Sequence, residues 1–106
     1  MSACVLYMTA SSMEEASRIG RALVEARLVA CVNLIDGMRS IYWWQGAVEE
    51  GAEVVVIAKT RRDLVDRATA LVKSLHGYAV PCVVALPIEA GNPDYLAWIA
   101  AETAAP

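Results

Sequence analysis

Four short runs, residues 3–9 (ACVLYMT), 29–36 (VACVNLID), 53–59 (EVVVIAK) and 82–88 (CVVALPI), constrain the fold of this chain more than any other feature. Each is short, apolar and rich in β-branched residues, so each reads as a strand. Strand side chains alternate between the two faces of a sheet, yet these runs are apolar at successive positions rather than at every second one. The sheet they predict is therefore apolar on both faces.

Between the runs the hydrophobic period becomes that of a helix. Ser12 with Glu15 spells a capping box, and Ala16, Ile19, Gly20, Leu23 and Val24 follow at helical spacing, predicting a helix over residues 12–28. Thr60 with Asp63 repeats the capping signal ahead of Leu64, Ala68, Leu71, Val72 and Leu75, predicting a second helix that reaches His76 and ends at Gly77. Asn92 and Pro93 form a cap and first-turn pair for a short helix over residues 93–102, with residues 103–106 frayed. Gly37 permits a bend or bulge before SIYWWQG, residues 40–46, where alternation puts Tyr42 and Trp44 on one face and Ile41 and Trp43 on the other. A polar turn over residues 46–51 then leads into the third run, making a long hairpin. Pro87 places the last strand at an edge, because proline donates nothing to a ladder.

The order is β-α-β-β-α-β plus a C-terminal helix. This is the α+β, ferredoxin-like pattern, with a four-stranded antiparallel sheet ordered 4-1-3-2 and the first two helices on one face. The 106 residues fit one domain spanning positions 1–106. Two helices cover one face of the sheet only, so the second apolar face calls for another copy of the chain, with Tyr42, Trp43, Trp44 and Trp98 as interface anchors.

Composition removes several classes of partner. The chain is 58% hydrophobic, but no segment reaches the roughly 18 apolar residues that a membrane span needs. Net charge is −3 and the nine basic residues are scattered, which argues against nucleic acid. Three cysteines at wide spacing are unlike a disulfide framework, and the opening MSACVLYMTASS has no basic segment of a signal peptide. A cytoplasmic protein with free thiols is expected.

ACVN (residues 30–33), SIYWWQG (40–46), EVVVIAKT (53–60), HGYAVP (76–81) and DYLAWI (94–99), in that order, resemble the CutA divalent-cation-tolerance family. The resemblance covers nearly the whole chain. It implies a ferredoxin-like homotrimer in which sheets pack together and the long hairpin extends a neighbour's sheet. It also implies a role in tolerance of divalent metals, copper especially, and an architecture similar to PII-type signalling trimers, which bind effectors in clefts between subunits. Two positions depart from the family pattern. Cys82 stands where the family usually has a glutamate after the proline, and Trp43 where tyrosine or another aromatic is common.

Copper takes soft sulfur ligands when reduced and imidazole when oxidised. His76 and Cys82 are the main candidates for a metal, with Cys31 a third, although no close ligand motif such as CxxC or HxxxH is present. Cys4 and Cys31 also fit the role of small buried hydrophobes, and His76 that of a helix C-terminal residue bonding the last carbonyls. The expected strand order separates Cys31 from Cys82 by about 14 Å within one subunit, so only the oligomer brings them to one ion. Lys59, Thr60, Arg61 and Arg62 end a strand and open a helix, where backbone N–H groups favour an anion, so a small anionic effector docking at Lys59 and Arg61 with Tyr78 in the cleft is the alternative ligand. No enzyme is expected. Acylphosphatase chemistry on this fold needs an arginine in the loop after the first strand, and that loop is Ala10-Ser11-Ser12.

Overall fold

The apolar runs do form one sheet. In the computed structural model, which describes residues 2–103, the elements are β1 (Ala3–Ala10), α1 (Met13–Glu25), β2 (Cys31–Trp44), β3 (Ala47–Arg61), α2 (Val65–Leu75), β4 (Val83–Pro87) and α3 (Pro93–Glu102). The strands are antiparallel in the order β2-β3-β1-β4, which is the expected 4-1-3-2 arrangement, and Pro87 does sit on an edge strand.

Register divides the residues between the faces. Leu6 and Met8 of β1 and Val54, Val56 and Ala58 of β3 point to the helices, where Ala16, Ile19 and Leu23 of α1 and Ala68 and Val72 of α2 complete the core. Gly20 lets α1 approach β2 closely, because a Cβ there would stand 2.8 Å from Val32 Cγ2. The opposite face is laid out in rows across the strands: Asn33, Ile57, Tyr7 and Val84 form one, and Cys31, Lys59, Val5 and Leu86 the next. Tyr95 of α3 reaches Cys31 at 3.6 Å, so α3 stands over part of this second face. Ile35, Val84 and Leu86 remain about half exposed there, at 52%, 48% and 54%.

β2 and β3 outrun the rest of the sheet. The β1 pairing ends at Ala10 opposite Val54, while β2 and β3 stay paired from Met38 opposite Glu53 to Trp44 opposite Ala47. This arm projects about 20 Å at 3.3 Å per residue. The expected bulge is present: between Ile35 and Met38 one extra residue enters β2, with Gly37 at φ +84°.

Four boundaries differ from the sequence expectation. α1 stops at Glu25 rather than Leu28, because Arg27 adopts φ +59° and the N–H groups of Arg27 and Leu28 donate to the Val24 and Leu23 carbonyls, a Schellman ending without the usual glycine. The polar stretch 46–51 is not a loop. A two-residue turn at Gln45 (φ +49°) and Gly46 (φ +81°) closes the hairpin, and Ala47 onward is already strand. Thr60 does not cap α2 either. It continues β3, fully buried, and its hydroxyl donates to the Leu28 carbonyl at 2.6 Å, while a 3-10 turn over Arg62–Leu64 leads into the helix. At the C-terminus Asn92 caps α3 as expected, but Thr103 is buried and donates to the Ile99 carbonyl, so it is not frayed. Residues 104–106, expected to be frayed too, lie outside the described residues.

Candidate functional site

Where the arm leaves the sheet, its base and the segment between α2 and β4 enclose an open cavity of about 670 Å³. Tyr42, Trp43 and Trp44 supply one wall, Glu53 of β3 the floor, and Tyr78 and Cys82 the other side. The Tyr78 hydroxyl donates to Glu53 Oε2 at 2.8 Å. Burial, and then this bond to a carboxylate, hold the Tyr78 phenol well above its ordinary range, so it remains a hydrogen-bond donor. Cys82 Sγ lies 3.9 Å from the Tyr7 carbonyl, and burial with the Glu53 charge raises its pKa as well. The thiolate is the species that coordinates a metal, so a metal bound at Cys82 would displace that proton.

His76 stands behind the cavity wall, packed on Tyr78 with ring centroids 4.5 Å apart. Its side chain is 1% exposed and both ring nitrogens have protein partners. Nε2 lies 2.8 Å from the Thr9 carbonyl, which can only accept, and Nδ1 accepts from the Tyr78 N–H at 3.0 Å. These bonds specify the neutral Nε2–H tautomer. Beside it Glu15 Oε1 accepts from the Ser11 N–H (2.9 Å) and hydroxyl (3.0 Å), and Oε2 from the Gly77 N–H (2.9 Å), with His76 Nε2 3.7 Å away. Burial pushes the Glu15 pKa up, but the Ser11 and Gly77 donors, with His76 nearby, outweigh it and leave the carboxyl below the ordinary range. Sequence reasoning placed Glu15 only in a capping box. The Ser12 half of that box forms, at 3.1 Å from the Glu15 N–H, whereas the carboxylate turns to Ser11 and to the far end of α2.

The soft donors do not converge within one chain. Cys31 opens β2 and Cys82 precedes β4, at opposite edges and opposite ends of the sheet, about 14 Å apart across the strands alone. Among the described residues no three His, Cys, Asp or Glu side chains group as metal ligands. The residues present thus do not compose a copper site inside a single chain. The anion expectation meets a different obstacle. α2 begins only at Val65, behind the short 3-10 turn that Arg61 caps, so its N-terminus is set apart from Lys59 and Arg61. Lys59 donates to Asn33 Oδ1 at 2.5 Å on the second face, and Arg61 Nε is 3.1 Å from Asp63 Oδ1, an ion pair whose angle makes no hydrogen bond. Lys59 lies about 20 Å and Arg61 about 26 Å along β3 from Glu53, and both are therefore far from Tyr78. Of the expected interface residues, Tyr42, Trp43 and Trp44 gather at the cavity with Trp43 74% exposed, while Trp98 stacks near Tyr95 on α3 at a centroid separation of 5.4 Å.

The fold recurs in known proteins. The family model described as CutA1 divalent ion tolerance protein matches residues 4–102. The divalent-cation tolerance protein CutA of Thermus thermophilus is 46% identical over 99 residues, covering 93% of this chain and 96% of that protein. The chloroplastic protein CutA 1 of Oryza sativa is 44% identical over 95 residues, 90% of this chain, which spans only about half (54%) of that longer protein. The solved structure of the CutA protein of Archaeoglobus fulgidus, described as periplasmic, superposes with a TM-score of 0.92 at 40% identity, over 95% of this chain and 98% of that one. On fold, length of match and identity together, the chain belongs to the CutA1 divalent ion tolerance family.

Proposed function

We propose that this chain acts in cellular tolerance of divalent metals, copper among them, as a non-enzymatic cytoplasmic homotrimer whose metal contacts are assembled between copies rather than within one. The observation that carries the reading is the second sheet face. Its rows of Val5, Tyr7, Ile57, Val84 and Leu86 are apolar and partly exposed in the single chain, as an unsatisfied subunit interface would be. Family membership supplies the link to divalent metals. The free state of Cys4, Cys31 and Cys82 accords with a reducing compartment. Assembly across that face is the route by which Cys31 of one copy comes within reach of Cys82 of another.

The test is native mass spectrometry of metal-stripped protein titrated with copper under reducing conditions. A mass of three chains that takes up a fixed small number of copper ions, fewer in Cys82→Ser and in Cys31→Ser, is the expected result. A monomer mass overturns the assembly, and a trimer without discrete copper uptake overturns the metal contact.

A second reading, an effector-binding module of the PII-like kind, is favoured by the cavity itself. Its volume lies in the range of small-molecule sites, and Tyr42, Trp43, Trp44 and Tyr78 are among its lining residues. A thermal-shift screen of metabolites is its test, with stabilisation lost in Tyr78→Ala as the expected outcome.

A further inference from the structure

Ligand chemistry at the base of the arm is set by charge. Among the described residues Glu53 is the lining side chain that carries a charge, and no lysine or arginine lines the cavity. Glu49 adds a second carboxylate on the same side of the arm, directly across from Tyr42 in the β2–β3 register. The nearest base on the arm, Arg39, is already paired to Glu50 at 2.8 Å. A carboxylate in front of several aromatic faces attracts cations twice over, by its own charge and through the ring quadrupoles. An anion in the same place meets Glu53 and the electron-rich faces of Tyr42, Trp44 and Tyr78.

We propose that this cavity binds a small organic cation, an alkylammonium or quaternary ammonium group, between the tryptophan and tyrosine rings and the Glu53 carboxylate. The inference rests on the second reading, that the cleft takes a ligand, and replaces the anion expected from Lys59 and Arg61 with its opposite. An inorganic divalent ion is a poorer occupant. It needs several close charged or soft donors, whereas the cavity offers one carboxylate and one thiol, Cys82, beside neutral hydroxyls of which that of Tyr78 is already committed to Glu53. The space of about 670 Å³ suits a molecule, not a bare ion. Tyr78 is a positioning residue, since its 2.8 Å bond holds the carboxylate between the walls.

Saturation-transfer NMR of the assembled protein with tetramethylammonium chloride as probe, at ionic strength fixed with sodium chloride, tests the inference. The neutral isostere 3,3-dimethyl-1-butanol and sodium citrate serve as comparison ligands. Saturable binding of tetramethylammonium is expected, at least tenfold tighter than the neutral isostere, weakened tenfold or more by Glu53→Gln and also by Trp44→Leu, with assembly mass and circular dichroism unchanged. Equal binding of the isostere, or binding indifferent to Glu53→Gln, overturns the cation. Citrate binding without tetramethylammonium binding overturns it too, while leaving the cleft reading in place. If neither probe binds and the metabolite screen is also blank, both fall.

Discussion

Glu15 does more for this fold than its place in a helix-capping pattern indicates. One carboxylate, 7% exposed, takes three hydrogen bonds and ties the loop after β1 to the end of α2. Glu15→Ala leaves the Ser11 and Gly77 N–H groups without their acceptor and is expected to cost about 1–3 kcal/mol in urea unfolding. Because the folded pKa lies below the unfolded one, the contribution is complete above the ordinary glutamate pKa of about 4.3 and fades as pH falls through the depressed value. Unfolding curves between pH 7 and 3 should therefore converge for the wild type and Glu15→Gln only at the acid end. Gly20 makes an opposite case, in which an added methyl does the harm. Alanine is the better helix former by about 1 kcal/mol, but its Cβ would meet Val32 Cγ2 at 2.8 Å, so Gly20→Ala is expected to lower stability by about 1–2 kcal/mol net. Adding Val32→Ala should restore part of the loss, which a double-mutant cycle by thermal unfolding reads directly.

At the scale of elements, the arm depends on its two-residue turn. Gln45 and Gly46 both sit at positive φ, the geometry that matches strand twist and that Asn-Gly prefers. Gln45→Asn should raise the melting temperature by a few degrees, about 0.5–1 kcal/mol, whereas Gly46→Ala should lower it by a similar amount. The type and order of every long element, the edge position of β4 and the caps Ser12 and Asn92 were legible, because local period and capping chemistry write them into neighbouring residues. What the sequence concealed were tertiary decisions. Thr60 carries a sound capping signal, yet a buried carbonyl at Leu28 claims its hydroxyl and strand pairing with Cys4 holds its backbone. Arg27 ends α1 in the left-handed conformation, a role glycine normally announces. The cavity had only half a signature. The aromatic run of the arm pointed to it, but nothing local to Tyr78 or Cys82 says that they fold toward Glu53 instead of Lys59.

For the whole molecule the decisive quantity is the unspent apolar face. In the proposed homotrimer Leu86, at the end of a row with Val5 and Lys59, exchanges solvent for a neighbouring copy. Leu86→Asp, on an edge strand and 54% exposed in the single chain, should leave the fold intact while shifting the sedimentation coefficient toward the monomer. If the assembly is unchanged, the face is covered by something else. The extra residue between Ile35 and Met38 reaches to this scale as well. Side chains of a strand keep time in twos, and the bulge inserts one beat. Deleting Gly37 would reset that count for the whole arm without touching its composition. Met38, Tyr42 and Trp44 would exchange sides with Arg39, Ile41 and Trp43, the Met38 contact to the Tyr7 hydroxyl would be lost, and the same surface would turn a different chemistry toward its partner. One glycine thus sets the phase in which the molecule meets its surroundings.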